Sequence, residues 1–128
     1  MADRPAPVIL IVDDDPLLRM LTIELVNEAG FETLEACDAD QAIAILESCS
    51  KITVLFTDIN MPGSMDGLKL ASVVSDRWPA LEILIASARI PLRNLPPNSR
   101  FLRKPYREAA MIAELHSLVG RAAPLTQA

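Results

Sequence analysis

The chain has 128 residues, a length that suits one domain around one core. Hydrophobic residues make up 51% of it but aromatics only 4%, so that core is packed with aliphatic side chains. Its 17 acidic and 12 basic residues leave a net charge of -5 with no Lys/Arg run, which argues against direct nucleic-acid binding. Residues 1–7 read as a short polar arm. The apolar run behind it, Val8 to Val12, stops at three aspartates and is too short for a signal-peptide core or a membrane span. A cytoplasmic location is expected.

Val8-Ile9-Leu10-Ile11-Val12 is apolar throughout and rich in β-branched residues, as a central parallel strand should be. Asp15 followed by Pro16 predicts an N-cap and the first residue of a helix. That helix places Leu18, Leu21, Leu25 and Ala29 on one stripe and ends at Gly30. Glu32 to Ala36 is a more polar strand, expected at an edge. Asp38 is expected to cap a second helix with Ala42, Ile45, Leu46 and Cys49 inward. Cys37 and Cys49 flank that helix, about twelve residues at 1.5 Å each, or roughly 18 Å apart. A disulfide needs Cα atoms within about 7 Å, so the two read as small core fillers.

Val54 to Phe56 predicts a buried strand that delivers Asp58 to its carboxyl end, the edge of an open α/β sheet where chemistry is found. Gly67 to Trp78 predicts a helix capped by Asp66, with Leu68, Ala71 and Val74 or Val73 inward, ended by Pro79. Glu82 to Ser87 and Phe101 to Arg103 are the last strands. The final helix carries Met111, Ile112, Leu115, Leu118 and Val119, and the tail 121–128 is expected to fray. Strand and helix alternate along the whole chain. The prediction is an α/β fold, a doubly wound five-stranded parallel sheet in the flavodoxin-like order 2-1-3-4-5, one of two common solutions.

The inner strands end in polar groups: Asp13 and Asp14, then Asp58, Ser87 and Lys104. This topology gathers those ends at one edge. Clustered carboxylates repel unless a cation is present, and a hard divalent ion with oxygen ligands resolves the conflict. Lys104 adds a point charge suited to a phosphoryl group, and Ser87 adds a donor. A carboxylate at the centre of such a pocket can accept a phosphoryl group as an aspartyl phosphate.

Four blocks carry a resemblance to a known family. They are Ile9-Leu10-Ile11-Val12-Asp13-Asp14-Asp15-Pro16, Thr57-Asp58-Ile59-Asn60-Met61-Pro62 with Met65-Asp66-Gly67, Ile85-Ala86-Ser87-Ala88, and Phe101-Leu102-Arg103-Lys104-Pro105. In this order and spacing the chain resembles the CheY-like receiver domain of bacterial two-component response regulators. The resemblance implies a receiver over 8–120, a signalling phosphoacceptor rather than an enzyme acting on an external substrate, and the initial Met favours a free-standing one. It implies that Asp58 takes a phosphoryl group from a histidine kinase or histidine phosphotransfer protein and that the domain catalyses its own phosphorylation and dephosphorylation. Asp13, Asp14, Asp58 and the Asn60 backbone carbonyl would hold Mg²⁺ or Mn²⁺. Ser87 is implied as the switch hydroxyl, Phe101 as the switch aromatic, and Lys104 as the phosphoryl partner, with Lys104-Pro105 as a cis peptide. A downstream protein would read the signal, with no nucleic acid or membrane involved.

Departures from the pattern matter as well. Lys104 follows Ser87 by only 17 positions, and Pro91, Pro96 and Pro97 disfavour the helix that the family carries there. An irregular connection is expected, with Ile90, Leu92 and Leu95 pinned on the sheet and Arg89 near the pocket mouth. Asn60 stands where aspartate-nucleophile phosphohydrolases have their acid/base, which argues against that class. The lone His116 is expected to be a solvated helix residue, which argues against Ser-His-Asp chemistry and zinc. No glycine-rich phosphate loop is present for a nucleotide. The remaining alternative is a phosphorylation-independent pseudo-receiver, an interaction module of the same fold.

Overall fold

The helices α1 (Pro16–Glu28), α2 (Ala39–Ser48) and α3 (Gly67–Arg77) each begin one residue after an aspartate. Asp15 accepts from the Leu17 and Leu18 amides, Asp38 from Gln41 and Asp66 from Lys69, satisfying amides that a helix start leaves open. A fourth helix, α4 (Glu108–Ala122), closes the chain and runs past the expected end at residue 120. Strands β1 (Val8–Val12), β2 (Glu32–Ala36), β3 (Ile52–Asp58), β4 (Glu82–Ser87) and β5 (Ser99–Arg103) form one parallel sheet in the order β2-β1-β3-β4-β5. These elements belong to a computed structural model that describes residues 6–60, 63, 65–88 and 95–122. Arg89, Ile90, Leu92, most of the expected arm and most of the expected tail lie outside the described residues. No helix among the described residues is long and apolar enough to cross a membrane.

Side chains of a strand alternate between faces, and the two faces build two cores. Val8, Leu10, Val12, Leu55, Ile83 and Ile85 pack against Ala42, Leu46, Leu70, Ala71 and Val74 of α2 and α3. Ile9, Ile11, Val54, Phe56, Leu84 and Leu102 pack against Val26 of α1 and Met111, Leu115 and Leu118 of α4. Each fully buried Leu or Ile contributes on the order of 1.5–3 kcal/mol. Both free cysteines, Cys37 and Cys49, are partly buried at the ends of α2. His116 is exposed as expected, with its ring tilted against Phe31 at 4.9 Å.

Two expectations fail. In α1 the expected stripe turns outward only at its start: Leu18 and Leu21 are each 46% exposed, whereas Leu25 and Ala29 pack partly buried against the core and Val26 is buried. Arg19 explains the rotation. Its Nη1 donates to the Asp13 carbonyl at 2.6 Å and its Nε to Glu35 at 2.8 Å, so a charged residue holds a place on the inward stripe. Leu95 is the second failure, 38% exposed rather than pinned on the sheet. The connection into β5 is tied by polar contacts instead. The Asn98 amide donates to the Pro79 carbonyl at 2.7 Å, Ser75 Oγ to the Pro97 carbonyl at 3.4 Å, and Ser99 Oγ to the Pro96 carbonyl. No helix forms in residues 95–98, and partly buried Phe101 packs on the α2–α3 side.

Glu82 opens β4 and is buried, with Arg121 Nη2 of α4 at 3.6 Å and no hydrogen-bond partner for its Oε1. Burial pushes its carboxyl above the ordinary 4.5, against the pull of Arg121 and Arg100. A carboxyl raised on folding holds its proton longer in the native state, so its stabilising contribution is present below the unfolded value and is lost as pH rises through the folded one. Glu82→Gln is therefore expected to remove a loss of stability just above pH 4.5, measured by urea denaturation at successive pH values. Identical pH slopes in the two proteins would show that Glu82 ionises as freely folded as unfolded.

Candidate functional site

Register brings the polar strand ends together. Val12 pairs with Thr57, so Asp13 stands level with Asp58, and Asp58 pairs with Ala86, one residue before Ser87. Ser87 pairs with Arg103, which places Lys104 just beyond the sheet edge. Three backbone bonds lock the turns there: Asp13 N to the Ala36 carbonyl at 3.2 Å, Ile59 N to the Ala86 carbonyl at 3.0 Å, and Lys104 N to the Ser87 carbonyl at 2.8 Å.

Lys104 Nζ donates to Asp58 Oδ2 at 2.9 Å, in an ion pair whose side chains are 30% and 13% exposed. Carboxylate oxygens of Asp13, Asp14 and Asp58 lie within 4.8 Å of one another. Burial pushes the Asp13 carboxyl up and the charge of Asp58 adds to it, while the Asp15 amide at 3.0 Å partly offsets both. At Lys104 burial works against the charge. The hydrogen bond and charge of Asp58 outweigh it and hold the ammonium above its usual range.

Other residues take different places. Asn60 is exposed, and its amide donates to Asp58 Oδ1 at 3.4 Å. Ser87 is buried at the end of β4, and Ala88 beside it is exposed. Phe101 pairs with Ile85 on the α2–α3 face, whereas Lys104 and Asp58 share a cavity with Phe56 and Ala86 of the α1–α4 core. The Lys104-Pro105 peptide is cis.

Sequence reasoning passed over three residues here. Arg19 grips the Asp13 carbonyl, although nothing in its spacing marks it out. Tyr106 lines a cavity of about 20 Å³ with Asp13, Thr22, Asp58 and Lys104. Its place two positions after Lys104 was the available signal. Gly67 was read as part of a motif without its reason: a Cβ there would meet the Asp58 carbonyl oxygen at 1.8 Å.

Known proteins share this fold. A receiver protein from Sinorhizobium medicae superposes with a TM-score of 0.84 at 28% identity, covering 91% of this chain and 97% of that one. The Thermotoga maritima response regulator TrrA, solved with Mg²⁺ and beryllofluoride, superposes with a TM-score of 0.78 at 24% identity, covering 88% and 98%. The transcriptional regulatory protein AruR of Pseudomonas aeruginosa is 40% identical over 68 residues, 50% of this chain and 28% of AruR. The chain spans less than a third of the curated relatives it matches, from 9% of one to 29% of another. Residues 9–116 match the response regulator receiver domain, and the chain belongs to that family of two-component signalling domains.

Proposed function

We propose that Asp58 is the phosphoacceptor of this receiver, loaded by a histidine kinase or histidine phosphotransfer protein and read out by a downstream protein in the cytoplasm. The observation that carries the reading is the Asp58–Lys104 pair at 2.9 Å beside two further carboxylates. A lone pair on an Asp58 carboxylate oxygen attacks phosphorus. The P–N bond breaks, its electrons stay on the donor imidazole, and that nitrogen takes a proton. Lys104 then follows the charge from the carboxylate to the phosphoryl oxygens, where an ammonium stabilises the transition state as well as the product. In hydrolysis, water attacks the same phosphorus, the Asp58–phosphorus link breaks, and free phosphate leaves.

The donor set fits Mg²⁺ or Mn²⁺: three carboxylates within 4.8 Å offer hard oxygen ligands, and their mutual repulsion favours a cation. Asp13, Asp14, Asp58 and the Asn60 backbone carbonyl would hold it, and when bound it would neutralise charge on the transferring group. An open groove of about 440 Å³ lined by Leu18, Thr22, Ala88, Lys104 and Pro105 gives a donor side chain access from outside.

Amide spectra titrated with Mg²⁺ and then beryllofluoride are expected to shift saturably at Asp13, Asp14 and Asp58, with the second set of shifts absent from Asp58→Ala. Spectra that ignore both additions would overturn the reading in favour of a phosphorylation-independent module.

A further inference from the structure

Phe101, at the position of the switch aromatic, packs on the α2–α3 side, away from the Asp58–Lys104 pair. Another aromatic stands on the side where that pair lies. Tyr106 packs into the α1–α4 core, with its ring tilted against Phe56 at 6.4 Å, two residues before Asp58. Thr22, in the middle of α1, lines with it an open groove next to this site. Tyr106 and Thr22 share the wall of the small cavity with Asp13, Asp58 and Lys104. An unbroken run of contacts thus leads from the phosphoacceptor to a helix.

From these contacts we propose that Tyr106 and Thr22 relay the phosphorylation state of Asp58 to helix α1, with Tyr106 a positioning residue rather than a catalytic one. The proposal rests on the reading of Asp58 as phosphoacceptor. A phosphoryl group carries about -1.5 to -2 charge, so Lys104 is drawn from the carboxylate toward it. Pro105 has a fixed φ and takes up little of that movement, which passes to Tyr106. The ring is held by Phe56 and packs into the α1–α4 core beside Thr22, so the displaced turn pulls on α1. α1 presents Leu17, Leu18, Met20 and Leu21 outward at 46–59% exposure, so tightening the helix alters an apolar surface.

Hydrogen exchange of the full chain with Mg²⁺, with and without beryllofluoride, tests the relay in wild type, Tyr106→Phe, Thr22→Val and Thr22→Ser. Beryllofluoride is expected to protect α1 amides near Thr22 about fivefold, the low end of typical coupling between sites. That gain should vanish in Tyr106→Phe and Thr22→Val and return in Thr22→Ser, which keeps the hydroxyl. The Ile59 amide, bonded to Ala86 beside Asp58, should gain protection in all four and so shows that each variant is folded and loaded. Undiminished α1 protection in either hydroxyl-deleting variant overturns the relay. A wild type that responds at Ile59 but not in α1 overturns it too, leaving Asp58 as phosphoacceptor. Silence at Ile59 in wild type overturns both.

Discussion

Gly67→Ala is expected to lower the melting temperature by about 10 °C and to abolish beryllofluoride binding. A Cβ at residue 67 would lie 1.8 Å from the Asp58 carbonyl oxygen, 2.7 Å from its carbon and 2.8 Å from the Ile59 Cα. All three are backbone atoms, so no rotamer change relieves the clash. The first turn of α3 sits this close because Gly67 N donates to the Ile59 carbonyl at 2.8 Å, and because Thr57 Oγ1 holds the Asp58 carbonyl from the other side at 3.0 Å. Making room means moving the strand end that carries Asp58. Overpacking of this kind costs about 3 kcal/mol, a large part of a typical domain's 5–15 kcal/mol, and each kcal/mol is worth roughly 3–4 °C at this size. Gly120→Ala is the control. Nothing lies within 4 Å of a Cβ there, so alanine in the interior of α4 should stabilise by about 0.5–1 kcal/mol. Scanning calorimetry reads both, and an unchanged melting temperature for Gly67→Ala would mean that the α3 start is free to move without disturbing Asp58.

The buried strands were legible because each is built around an apolar run, and the starts of α1, α2 and α3 because each carries a capping aspartate. The alternation of elements then left few topologies, and topology alone gathered Asp13, Asp14, Asp58, Ser87 and Lys104 at one edge. What escaped was whatever depends on contacts between distant residues. α1 is apolar on both faces, so Leu18 and Leu21 were read inward although only Leu25 and Ala29, at the far end of their stripe, pack on the core. The inward place of Arg19 follows from partners on two other elements. Leu95 lost its expected contact because β5 begins at Ser99, earlier than the Phe101 start read from its apolar residues. Glu82 looks like an ordinary polar residue at the head of a strand until α4 packs over it and brings Arg121. Tyr106 followed a recognised motif, yet it shares a cavity wall with Thr22, 84 positions earlier.

Lys104→Ala is expected to separate two properties that are usually lost together, tightening Mg²⁺ binding while slowing phosphoryl transfer. In the resting site the ammonium and a divalent cation compete for the same carboxylates. Lys104 holds Asp58 Oδ2 at 2.9 Å and also acts on Asp13, whose carboxyl it pulls downward. Removing it returns that negative field to the metal, and at the effective dielectric of a partly exposed site this is worth about tenfold in affinity. The folded state gains nothing in exchange. Three carboxylates within 4.8 Å lose a counter-charge, and for a pair this exposed the cost without metal is about 1 kcal/mol. Transfer should nonetheless fall by about 10²–10³, the usual cost of deleting one donor aimed at developing charge. Calorimetric Mg²⁺ titration and phosphotransfer from a labelled donor measure the two halves independently. Equal Mg²⁺ affinities would mean that the ammonium lies outside the field felt by the metal. Undiminished transfer would restrict Lys104 to neutralising Asp58 at rest, and the charge on the phosphoryl group would then have to be met by the metal and Ser87.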